Sequence, residues 1–238
     1  VLLPTLLGVL AGITTTVAGL GGGHLLLLGL AVLWTPLDAL ATTGPALLLG
    51  NLHRVFLFRD GLDAPLVGRY VLGAFPGALV GGMLAGRIPT GVLLKLMALL
   101  AAIGVARQLF DGARALPAWS LVPGGVVVGG VAATGGGAGA LAGPLLMGSG
   151  ATGARYMSAM ASGAAAVHIG RLLGYGAEGH LAPHHVGWGL VLAGSLLAGN
   201  LIGLRMRRRL LPRTRRHAEL AAVVVALGLA ISAACSGG

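Results

Sequence analysis

The chain has 238 residues, 56% of them hydrophobic and only 9% charged, with a mean hydropathy of +0.92 and a formal net charge of +10. Soluble domains carry about 25% charged residues, so the composition excludes a soluble domain of useful size and reads as an all-α polytopic membrane protein whose surroundings are the lipid bilayer. No nucleic-acid partner is implied by the positive charge: seven of the 16 Lys/Arg fall within residues 205–216, between two apolar stretches, which is the signature of a cytoplasmic loop.

In chain order, charges and Pro/Gly punctuation divide the sequence into helical segments. Residues 2–34 form a first long uncharged stretch with Gly21-Gly22-Gly23 at its centre. Stretches at 39–58, 66–86 and 89–110 follow, the last carrying Lys95, which has the reach to snorkel. Residues 119–146 form a second uncharged stretch, again with a triplet, Gly135-Gly136-Gly137. A shorter span at 156–173, a span at 186–204 and a short last one at 219–234 complete the chain. One crossing needs about 20 helical residues, so each triplet-bearing stretch is too long for one span and too short for two. A helix broken centrally by glycine once per half of a repeated chain points to a transporter-type binding site.

The halves repeat. A shift of 118 places Asp60 on Glu178, Gly61 on Gly179, Pro65 on Pro183, Gly81 on Gly199 and Arg87 on Arg205, while the triplets align at a shift of 114. Repeats at 1–114 and 115–238 of about four segments each are expected. If both broken segments cross completely, 10 Lys/Arg lie inside and 6 outside; if both are hairpins, 13 lie inside and 3 outside. The positive-inside rule favours hairpins and therefore an inverted repeat, with the two glycine tips meeting near the midplane. The small-residue series Gly77/Gly81 and Ser195/Gly199/Gly203 read as packing seams, within the chain or in a homodimer.

Candidate substrate contacts follow from the breaks. Helix N-termini with glycine nearby cradle anions, which singles out Gly21, Gly22, Gly23, Gly135, Gly136 and Gly137. His24 follows the first triplet and Thr134 precedes the second. An intramembrane histidine faces a cavity, relays a proton, or is a satisfied structural group. Thr43 and Asn51 share a face of the next span, with Ser158 and Ser162 as rough counterparts, and His168 and Arg171 lie one turn apart. Arg171 either balances an anion or snorkels to the interface. His180, His184 and His185 lack the carboxylates of a metal site, so no metal and no cofactor is expected. Cys235 is the only cysteine, which rules out an intrachain disulfide. The sequence at Val1 shows no basic n-region or cleavage site, so no cleaved signal peptide is expected there.

Taken together, Gly19-Leu20-Gly21-Gly22-Gly23, Ala41-Thr42-Thr43 with Asn51, Arg59-Asp60-Gly61-Leu62-Asp63, and the second triplet followed by Pro144-Leu145 resemble the TauE/SafE sulfite exporter family of bacterial membrane transporters, over essentially the whole chain. The chain departs from the family pattern at Leu28-Gly29-Leu30, where proline is common, at Thr43, where serine is common, and at His24. The resemblance implies export of a small anionic substrate, sulfite or an organosulfonate such as sulfoacetate, across the inner membrane. Alternating access of two repeats is the expected mechanism. An interior-negative potential itself drives an anion outward, at about 2.3 kcal/mol per charge per 100 mV, and His24 or His168 offers proton coupling. A channel is the nearer alternative. The remote one is an intramembrane serine hydrolase using Ser149 or Ser162, each followed by glycine but without the leading glycine of the rhomboid pattern.

Overall fold

The computed structural model describes residues 2–18, 21–109 and 115–211, together with scattered helical positions between 214 and 232. Among the described residues the chain is all helix: α1 (Leu2–Ala18), α2 (Gly22–Ala31), α3 (Pro36–Leu57), α4 (Ala64–Ala85), α5 (Thr90–Leu109), α6 (Leu121–Gly135), α7 (Ala138–Gly148), α8 (Gly153–Ala177) and α9 (Pro183–Arg209). Much of the span expected at 219–234 lies outside the described residues, as do Gly19, Leu20, Arg114 and Cys235. Two spans are longer than their apolar stretches. The helix expected over 156–173 runs 25 residues and that over 186–204 runs 27, because charged residues at a helix end sit at the interface rather than terminating the helix.

Both broken segments are hairpins. Gly22 of α2 faces Ala11 and Thr15 of α1, whereas Gly29, further along α2, faces Leu7, so the two helices are antiparallel. In the second, Leu145 of α7 lies against Gly124 near the start of α6, and the Leu116 N–H donates to Gly148 O at 2.8 Å. At 1.5 Å per residue the long arms α1 and α6 run about 22–25 Å and the short arms α2 and α7 about 15–16 Å. The two arms of each hairpin share one tip, and the long arm outruns the short one by about 6–10 Å.

Close glycine contacts also give the helix directions. Gly8 and Gly12 of α1 meet Ser195 and Asn200 of α9 in the same order, and Gly189 and Leu196 of α9 meet Pro45 and Gly50 of α3 in the same order; α1, α3 and α9 are parallel. Gly73 and Gly81 of α4 meet Val122 and Gly130 of α6, and Tyr70 and Gly82 of α4 meet Gly163 and Gly174 of α8; α4, α6 and α8 are parallel. α3 and α8 oppose each other, with Gly44 against Leu172 at one end and Gly61 against Ala154 at the other. Helices that correspond in the two halves, α1 with α6 and α3 with α8, thus point oppositely.

The packing bodies are not the sequence halves. One core joins buried residues of α1, α2, α3 and α9 with Met97 and Ala101 of α5, and also takes in Ala85 of α4 and Tyr175 of α8; the other joins α4, α6, α7 and α8. Each half lends its fourth helix to the other. The small-residue faces serve this exchange: Gly77 and Gly81 are covered by α6, and Gly199 and Gly203 by α1 of the same chain, so a second copy does not find them free. Among the described residues three segments are long and apolar enough to cross a membrane, at 64–85, 118–135 and 183–209. α3 and α8 are as long but carry Arg54, His168 and Arg171. They tolerate this because these three side chains are buried inside the bundle.

Ion pairs hold the ends. Arg155 pairs with Asp63, and its Nη2 lies beside Oδ2. At the opposite end Arg87 Nη2 meets Glu178 Oε2 at 3.1 Å. There too, His185 Nδ1 accepts from the Ala182 N–H at 3.1 Å, which leaves Nε2–H to donate to Asp38 Oδ1 at 3.1 Å. The His184 ring lies tilted against that of His185, centroids 4.0 Å apart. Among the described residues no three His, Cys, Asp or Glu side chains gather as a metal would require.

Candidate functional site

The hairpin tips meet. Gly136 and Gly137, which join α6 to α7, have φ of +72° and +71°, and Gly21, just before α2, has φ of +94°. Side-chain-bearing residues avoid this region, so glycine is required for the sharp entries into α2 and α7. The second tip lies on the first: a Cβ at Gly137 would run into the His24 ring and one at Gly136 into Leu27. The N-termini of two helices therefore sit side by side deep in the protein. The first backbone N–H groups of a helix have no carbonyl one turn earlier to accept them, and they carry the positive end of the helix dipole.

A cavity of about 80 Å³ opens between the tips, well above the roughly 10–15 Å³ that one water needs. Its wall includes Gly21, Gly23 and His24 from the first tip and Gly136, Gly137, Ala138 and Gly139 from the second. α3 contributes Asn51 and Arg54, α8 contributes His168 and Arg171, and α9 contributes Asn200. No acid lines it among the described residues. Arg54 and Arg171 are 3% and 1% exposed. Arg54 Nη1 donates to Asn51 Oδ1 at 3.1 Å, and Arg171 Nη2 reaches across to Thr43 Oγ1 on α3 at 3.1 Å. Three buried nitrogens on this wall, His24 Nε2, His168 Nδ1 and Arg171 Nε, have no hydrogen-bond partner among the described residues. Unpaired buried polar atoms are costly, and these three converge on one cavity wall.

The tips are braced from outside. The Tyr175 hydroxyl donates to Ala133 O at the end of α6, and Arg207 Nη1 donates to Val17 O at the end of α1 at 2.5 Å. Asn200 locks α9 to both neighbours in its body: its Nδ2 donates to Gly50 O of α3 at 3.0 Å, and its Oδ1 accepts from Thr16 of α1 at 2.9 Å.

Of the residues singled out in the sequence, Gly21, Gly23, His24, Asn51, Gly136, Gly137, His168 and Arg171 come together on the cavity wall. Six do not line it, Thr134 and Ser158 among them. Gly22 is a close-packing position against Ala11 and Thr15, and Gly135 packs on Leu96 and Leu100 of α5. Thr43 is fully buried behind Arg171 and anchors it. Ser162 is half-buried on α8 and absent from the wall. Arg171 does not snorkel, since burial holds it at the cavity. Ser149 caps α7, its hydroxyl donating to Leu145 O at 2.8 Å. Sequence reasoning missed Arg54 and Asn200. A signal for Arg54 exists: Asn51 and Arg54 have the same three-residue spacing as His168 and Arg171, in the span that follows each triplet.

No curated protein and no solved structure matches the chain. A family model described as Sulfite exporter TauE/SafE matches residues 5–234. The all-helical architecture of the described residues, with its long apolar helices, agrees with that match, and the chain belongs to this family of membrane transporters.

Proposed function

We infer that the protein exports small anions, sulfite or an organosulfonate such as sulfoacetate, from the cytoplasm across the bacterial inner membrane. The observation that carries this reading is the cavity with two arginines and two helix N-termini on its wall and, among the described residues, no acid. Positive potential from four sources converges there with no fixed negative charge to cancel it, and helix N-termini and arginine forks match oxyanion geometry. The substrate contacts proposed are the N–H groups around Gly21–Gly23 and Gly136–Gly139, with His24, Asn51, His168 and Arg171 and, new here, Arg54. Thr43 acts by positioning Arg171.

The mechanism proposed is alternating access between repeats of residues 1–114 and 115–238, inverted across the membrane. The exchange of α4 and α9 sets the moving parts. The rigid bodies that rock are α1, α2, α3 and α9 against α4, α6, α7 and α8, and their shared α3/α8 contact holds the anion site. Orientation follows the positive-inside count: the end bearing Arg59, Arg155 and Arg205–Arg209 faces the cytoplasm, and the end bearing Arg87 and Glu178 faces outward. A channel needs a continuous wet path, whereas the cavity here lies between hairpin tips that touch.

Thermal stability in detergent tests the anion assignment. Ligand binding to the folded state raises the melting temperature by mass action. Sulfite and sulfoacetate should stabilise the protein in a saturable way, while taurine, whose ammonium finds no acid in the cavity, and divalent metals should not. Stabilisation by metals but by no oxyanion would overturn the assignment.

A further inference from the structure

The two hairpins, residues 2–31 and 121–148, contain a single ionisable side chain, His24. It lies where the tips touch. It is the third residue of α2 and is 4% exposed, and a Cβ at Gly137 would run into its Nε2. That nitrogen has no hydrogen-bond partner among the described residues. Helical side chains lean toward the N-terminus of their own helix, and Gly137 is the residue just before α7. The ring therefore stands at the positive ends of both short arms.

The charged and titratable groups that share its wall are all bases. α3 contributes Arg54, and α8 contributes His168 and Arg171. The polar residues from α1 and α9 are the neutral Thr15 and Asn200, and the second tip with the ends of α6 and α7 supplies only glycine and alanine. A further positive charge at His24 has no counter-charge among these residues while the cavity is empty. A bound anion supplies one, and an opposite charge within about 4–6 Å shifts a protonation equilibrium about 10- to 1,000-fold. His168 is the less suited of the two histidines: Arg171 follows it by three residues on α8, and like charges at that spacing repel. α2 carries no second charge.

We propose that His24 couples protons to transport: it takes up one proton when the cavity binds an anion and gives it up when the anion leaves, so that anion and proton cross together. This deepens the export reading above and rests on it. The proton comes from water on the face to which the cavity is open and adds to the unprotonated ring nitrogen. The imidazolium N–H then donates to an oxygen of the anion, and the proton returns to water with the anion's release on the other face. A dianion such as sulfoacetate thus takes one net negative charge outward per cycle instead of two, and a monoanion takes none.

Calorimetric titration of the purified full-length protein with sulfoacetate tests this. Both acid groups of sulfoacetate stay ionised between about pH 6 and 8, so any proton taken up goes to the protein. Heats measured in buffers of different ionisation enthalpy count the protons bound per anion. The count should approach one near about pH 6, and the dissociation constant should rise by up to about tenfold per pH unit wherever the proton is taken up. His24→Gln, or His24→Asn should the first variant fail to fold, should bring the count to zero and make the dissociation constant flat in pH. His168→Gln should keep the proton count, whatever it does to affinity. Sulfite, corrected for its own titration, serves if sulfoacetate does not bind. Equal heats in all buffers with the parent, or proton uptake that survives loss of His24, would overturn the proposal while leaving export intact. A parent that binds neither anion would overturn the export reading itself, and this assignment with it.

Discussion

Replacing Arg171 by glutamine separates a binding arginine from a structural one, because the two roles predict opposite signs. The side chain is 1% exposed, donates one hydrogen bond to Thr43 Oγ1, and among the described residues has no acid beside it on the cavity wall. Holding a desolvated charge without a counter-charge costs several kcal/mol, whereas one hydrogen bond from a charged donor returns only about 1.5–3 kcal/mol. In the empty protein Arg171→Gln therefore removes a net burden, and its melting temperature in anion-free detergent should equal or exceed the parent's. With anion present the balance reverses. A lost charged hydrogen bond costs about 1.5–3 kcal/mol, or roughly 10- to 150-fold in affinity. Thermal unfolding across a sulfite titration reads both quantities from one preparation. A variant that melts well below the parent when empty, yet gains the same stabilisation from sulfite, would refute the reasoning and make Arg171 a structural cross-brace between α8 and α3.

Three further outcomes follow from the geometry. Gly137→Ala should lower the melting temperature and abolish sulfite stabilisation, since left-handed backbone costs an L-residue about 1–2 kcal/mol and the methyl would displace His24; Gly68→Ala, with open space around it, should be neutral or slightly stabilising. Asp63 accepts from the Leu66 N–H and pairs with Arg155, and together these hold its carboxyl below the usual range. A depressed folded-state pKa means stability that is present above the unfolded value and lost as pH falls through the folded one, so the melting-temperature gap between parent and Asp63→Asn should be full at neutral pH and should close in acid. Single cysteines at Arg59 and Arg87 in a Cys235→Ser background should label from opposite faces with an impermeant thiol reagent in whole cells and inverted vesicles; labelling from one face would reject the orientation.

The features legible in the sequence were those with a local cause. Glycine triplets in uncharged stretches located both helix breaks, because nothing else permits φ near +70° at Gly136 and Gly137. Charge counting favoured hairpins, and the antiparallel arms give the same answer from contacts. What stayed hidden depends on long-range packing. Within a triplet each glycine looks alike, yet Gly22 and Gly135 serve helix contact while their neighbours line the cavity. Arg54 lies five residues before Arg59, in what reads as a loop-flanking basic region, and only the turn of α3 aims it inward. The exchange of α4 and α9 between bodies leaves no mark in either helix, since both present the same small-residue faces whichever partner fills them.

Counterflow in proteoliposomes tests the central claim most directly: purified protein is loaded with unlabelled sulfite and labelled sulfite is added outside. A transporter that exposes one cationic cavity alternately to each face predicts transient accumulation of label above equilibrium. That accumulation should saturate with sulfite, be inhibited by sulfoacetate and be lost in a variant lacking both Arg54 and Arg171. Label that merely equilibrates at a rate linear in concentration, unaffected by loss of both arginines, would contradict the account.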